Sequence, residues 1–110
     1  MSTSMTSIRT KIKARLKKFV EFDVSGLRRR VLSLILNLKR STVDELHMAI
    51  SKDFDVSRSV VASMVGYIHS RLGILRSHKE SYKTPTVYSL KEEYVDLIQN
   101  VLASKKPASS

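Results

Sequence analysis

Residues 55–75 read DVSRSVVASMVGYIHSRLGIL, and the fold turns on them. Val60, Val61, Met64, Val65, Ile68 and Leu72 recur at three- and four-residue spacing, which predicts one buried stripe on a helix. Ser57 stands where a hydroxyl can accept from a free N–H at the helix start, and Gly73 where a helix stops on a left-handed residue. The reading is a helix over 57–72 that points Arg58, Ser59, Ala62, Ser63, Gly66 and Tyr67 away from the core.

Upstream, Asp55 and Val56 leave only a short turn. Before it, Ser41 or Thr42 caps a helix over 42–53, with Asp44 and Glu45 in the first turn and Leu46, Ala49, Ile50 and Phe54 as the apolar face. Two capped helices across a short turn form a helix-turn-helix. A further helix over 25–39, with Ser25 as N-cap, carries Leu27, Val31, Leu34, Ile35 and Leu38 at helical spacing. Arg28, Arg29 and Arg30 occupy its first turn, where cations oppose the helix dipole. Some other interaction must favour them there, and a phosphate contact is one. Over 7–20, Ile8, Ile12, Leu16 and Phe19 alternate with Arg9, Lys11, Lys13, Arg15, Lys17 and Lys18, which reads as a basic amphipathic helix.

Downstream of Gly73, residues 74–77 and 86–90 favour strands and flank a polar stretch ending in Pro85, so 74–90 reads as a hairpin with a long tip. Residues 91–103 form a last helix, whose apolar face of Tyr94, Val95, Leu97, Ile98, Val101 and Leu102 requires a cover. Residues 1–6 and 104–110 have nothing to bury and are expected to be flexible tails. The expected fold class is mainly α with a small β-hairpin wing: one winged helix-turn-helix domain over 7–103, with extra N-terminal and C-terminal amphipathic helices.

Composition narrows the partners. The 110 residues, 42% hydrophobic and 27% charged, suffice for one core. Twenty Lys and Arg against ten Asp and Glu give a formal charge of +10, so polyanions are the expected partners, nucleic acid ahead of acidic protein and anionic lipid. The absence of cysteine removes disulfides and thiolate chemistry. The longest apolar stretch, 31–38, is far short of the ~20 residues a bilayer requires. His47, His69 and His78 lack ligand spacing, and three glycines leave little room for a phosphate loop. No metal, cofactor, enzyme activity or membrane association is expected, and the expected location is the cytoplasm.

With LRRRVLSLIL ahead of it, VSRSVVASMVGYIHSRLGILRSHKESYKTPTVYSLKEEYVDLI resembles a small archaeal winged helix-turn-helix family, found chiefly in methanogens and without assigned function. The likeness spans nearly the whole chain and is most specific at GLRRRVL, VASMVGYIHS and KTPTVYSLKEEY. It implies the fold and an archaeal cytoplasm. DNA binding follows only from the wider winged-helix superfamily, which lays the second helix of the pair in the major groove and reaches the adjacent backbone or minor groove with the wing.

On that footing Arg58 is the candidate for a guanine contact. Ser59 and Ser63 can bond base edges or phosphates, Tyr67 a phosphate, and Thr42 and Ser57 mark helix N-termini that face the backbone. Arg76, Lys79 and Lys83 arm the wing, while Arg28, Arg29, Arg30, Arg9 and Lys13 offer further phosphate contacts. The expected function is a DNA-binding regulator of transcription, with homodimerisation through the N-terminal or C-terminal helix. Two alternatives remain: an RNA-binding protein, and a protein-interaction module that uses the small face Ala62, Ser63 and Gly66.

Overall fold

The structure, a computed structural model, describes residues 4–103. Helix α1 spans Ser4–Glu21, α2 Leu27–Leu38, α3 Val43–Ile50, α4 Arg58–Tyr67 and α5 Val95–Ala103. Strands β1 (Arg40–Ser41), β2 (Leu75–His78) and β3 (Val87–Leu90) form an antiparallel sheet in the order β1-β3-β2. The result is a compact, mainly α protein with a small three-stranded sheet. Of the expected tails, 1–3 and 104–110 lie outside the described residues. Residues 4–6 instead belong to α1, where no glycine or proline stops the helix.

The N-terminus of α2 differs from expectation. Asp23, rather than Ser25, caps it: Oδ1 accepts from the N–H groups of Gly26 and Arg28, and Oδ2 from that of Arg29, each at 3.1 Å. Gly26, at φ 92°, makes the left-handed bend that brings this carboxylate back onto the helix. Ser25 Oγ reaches only the Leu27 N–H, at 3.4 Å. A carboxylate suits the position better than a hydroxyl, because its negative charge offsets three arginines in the first turn.

Helix α3 starts on a full capping box. Thr42 Oγ1 accepts from the Glu45 N–H at 3.1 Å, and Glu45 Oε1 accepts from the Thr42 N–H at 2.9 Å. It ends at Ile50, short of Asp53, and the chain turns through 51–57 to α4, a turn held by His47 Nε2 donating to the Val56 carbonyl at 2.9 Å. Beyond α4 the helix widens into a π-helical turn over Ile68–Leu72, where a regular helix was expected. There Ser70 Oγ donates to the Gly66 carbonyl at 2.9 Å, and the Gly73 N–H closes onto Ile68 at 3.1 Å.

β1 was not anticipated. Two residues between α2 and α3 pair with β3, Arg40 opposite Ser89 and Ser41 opposite Tyr88, while β2 pairs on the other side, from Leu75 opposite Leu90 to His78 opposite Val87. The hairpin base is thus stitched to the helix pair.

One core runs through all five helices, with Leu16, Leu32, Leu46, Ile50, Val65, Ile68, Ile74 and Ile98 fully buried. Each such side chain contributes about 1.5–3 kcal/mol, more than any of the surface ion pairs. The wide face of α5 is covered inside the chain: Leu97, Ile98 and Val101 pack against α1 and α2. Dimerisation is therefore not required to hide it.

Candidate functional site

The Ser57 hydroxyl accepts from the Val60 N–H at 3.3 Å, starting α4, and burial of Val61 and Val65 fixes its rotation. Ser59 and Ser63 then face outward. At 100° per residue, Arg58, Ala62 and Gly66 fall to one side of this outer face and Val60, Met64 and Tyr67 to the other. A cleft opens on each side.

The first cleft, of about 230 Å³, joins three elements: Thr42 and Asp44 from the start of α3, Arg58 from the start of α4, and Lys79, Thr86 and Tyr88 from the hairpin. Arg58 Nε donates to Asp44 Oδ1 at 2.5 Å. Both side chains are more than half exposed, so the pair is worth about 0–1 kcal/mol and a phosphate or base edge can compete for the guanidinium. The hairpin tip is ordered by its own hydrogen bonds. Ser81 N–H donates to Thr84 Oγ1, Thr84 N–H to the Ser81 carbonyl, and Lys83 N–H to Ser81 Oγ, all at 3.1–3.2 Å. Arg76, Lys79, Tyr82 and Lys83 are exposed.

The second cleft, of about 600 Å³, lies against α1 and α2 and is mostly apolar. Phe19 and Phe22 form one wall, Val60, Met64 and Tyr67 the other, with Arg28, Ser59 and Ser63 at the margins. Tyr67 stacks on Phe19 with ring centroids 5.8 Å apart, and the Arg28 guanidinium lies 4.8 Å from the Phe19 ring centre. Val60, expected in the buried stripe, is instead 44% exposed, since it sits at the edge where the stripe opens into this cleft.

Most of the arginines expected on phosphates are engaged within the chain. Arg28 donates to the Phe19 carbonyl at 3.0 Å and Arg29 to the Leu102 carbonyl at 3.2 Å, capping the ends of α1 and α5. Arg30 pairs with Asp53 at 3.1 Å, while its buried Nε has no partner among the described residues. Arg9 binds Asp96 and the Glu93 carbonyl, both at 2.6 Å, and Arg15 reaches the Arg71 carbonyl at 3.3 Å. These bonds supply the interaction that the arginine triplet demanded.

Thr42, Arg58 and Lys79 therefore meet in the first cleft, and Arg28, Ser59, Ser63 and Tyr67 at the second. Ser57, Arg76 and Lys83 stand near α4 or on the hairpin without lining either, and Lys13 follows Arg9 on the α5 side of α1. Sequence reasoning missed Phe22 and Val24, 66% and 99% exposed, because they fall beyond the α1 repeat. It also missed Asp44 as the partner of Arg58; a carboxylate in the first turn of α3 signalled only a dipole contact. Among the described residues no cluster could hold a metal ion, and no helix is long and apolar enough to cross a membrane.

The family described as "protein of unknown function (DUF2551)" matches residues 16–98. An uncharacterised protein of the archaeon Archaeoglobus fulgidus is 37% identical over 92 residues, covering 83% of this chain and 92% of the relative. No solved structure matches the chain.

Proposed function

The chain belongs to the DUF2551 family, and from that starting point we propose that it is a winged helix-turn-helix protein that binds duplex DNA as a regulator of transcription. The order α2, β1, α3, α4, β2, β3 with a β1-β3-β2 sheet supports the fold reading, since it ties the hairpin beside the second helix of the pair. One observation carries the function: Thr42, Arg58 and Lys79, from three separate elements, converge on a cleft beside the outer face of α4.

In this reading α4 enters the major groove with Ser59 and Ser63 leading, and Arg58 exchanges Asp44 for a guanine edge or a phosphate. The α3 start and the wing lysines lie along the backbones on either side. The arginines bonded within the chain keep those partners, which leaves most of the electrostatic share to lysines and the hairpin.

Anisotropy titrations with labelled random duplex and with single-stranded RNA, across a salt series, test the proposal. Duplex binding is expected to be tighter, with a log–log salt slope of about −3 or steeper for three or more phosphate contacts. Preference for the single strand moves the reading to RNA, and no binding at low salt removes it.

A further inference from the structure

We infer that the apolar cleft between α1 and α4 receives an amphipathic helix of a partner protein, apolar on one face and acidic along its edges. This inference is independent of the nucleic-acid reading.

The shape fits a helix. Val60 and Tyr67 are seven residues and about 10 Å apart along α4, matching the i, i+3 or i+4, and i+7 anchors by which a helix fills a groove. Phe22, 66% exposed, carries the cleft wall past the end of α1, and Val24, two residues on, is 99% exposed; no described part of the chain covers either.

The charge selects the partner. No Asp or Glu lines the cleft, and Arg28 does. Arg15 and Lys18 precede Phe19 and Phe22 by four residues each, so they stand on the same ridge of α1, and Arg15 is bonded to the Arg71 carbonyl at the far end. An apolar floor edged by cations complements acidic flanks. Among the described residues the chain offers no such helix: Glu92 and Glu93 precede α5 and Asp96 lies in its first turn, but the apolar face of α5 is already buried under α1 and α2. A second copy would also bring another +10 charge. A nucleic-acid backbone, for its part, gains nothing from Phe22 and Val24.

A displayed library of helices of about 16 residues, four to five turns each, tests this against the full chain. The face positions are randomised and the edges are Glu, Gln or Lys. The expected winners are Glu-edged with bulky apolar residues at i, i+4 and i+7. A synthetic winner should bind in solution and lose about tenfold or more in affinity against Phe22→Asp and against Val60→Asp. Both variants should keep the parental thermal midpoint, and Phe22→Asp, which lies off α4, should keep the duplex affinity as well. No enrichment, equal enrichment of Lys-edged helices, or binding indifferent to both substitutions overturns the inference. A doubled mass in solution that Phe22→Asp abolishes overturns it in favour of a second copy. Loss of duplex binding in Phe22→Asp overturns it by assigning the cleft to the nucleic acid.

Discussion

On its hairpin side α4 meets Thr42, Asp44, Lys79 and Tyr88; on its other side it meets Phe19, Phe22 and Arg28. The first side is built from helix starts and a hydrogen-bonded tip, whose side chains end in hydroxyls and charges. The second is built from the ridge of α1, whose aromatic rings continue the core outward. One helix thus separates a surface suited to a polyanion from one suited to an apolar helix. The neighbouring elements and the α4 residues both make the difference: α4 gives Arg58 to the first side and Val60, Met64 and Tyr67 to the second. Cation type differs with role: the ion pairs with carboxylates and the guanidinium bonds to carbonyls come from arginines, while the hairpin tip offers Lys79 and Lys83. A planar fork is pre-organised for fixed bonds, and a flexible ammonium suits a diffuse phosphate surface.

The largest expected effect separates the inner and outer parts of the apolar side. Phe19→Ala should cost about 3–5 kcal/mol in denaturant unfolding, since it empties a buried site and removes the partner of Tyr67 and Arg28. A loss under about 1 kcal/mol would mean that the ring is not part of the core. Next, Arg58→Ala should weaken binding to a selected duplex by about 1–3 kcal/mol and relax its sequence preference. Uniform weakening on all sequences would make Arg58 a phosphate contact.

Thr42→Ala removes the capping box and should lower stability by about 1 kcal/mol in the same unfolding assay. No change would leave Glu45 as the sufficient cap. The smallest effect belongs to Phe22→Ala, expected within about 0.5 kcal/mol of the parent although Phe19 lies less than one turn away. A cost near that of Phe19→Ala would break the contrast between covered and open rings.

The helices were legible because their apolar residues repeat at the helical period, and the hairpin because Gly73 and Pro85 bound its segments. β1 was not, since Arg40 and Ser41 carry no strand preference and pair only because the hairpin docks there. Asp23 escaped notice because an ordinary cap lies next to the helix, whereas this one returns through the left-handed Gly26. Of the candidate site, Arg58, Lys79 and Thr42 were legible individually as polar groups at helix starts and on the hairpin. Their meeting in one cleft was not, because it depends on how the hairpin packs beside α3. Arg28, Arg29 and Arg30 were readable as an anomaly, but their resolution lay in carbonyls distant in sequence.

Amide chemical-shift mapping of the isotope-labelled protein with a short duplex tests the central claim most directly, because it reports which side of α4 the DNA touches. Shifts concentrated at Thr42, Arg58 to Ser63 and Lys79 to Lys83, with Phe22 and Val24 unmoved, are the predicted result. Shifts centred on α1 and Phe22, with the hairpin silent, would contradict it.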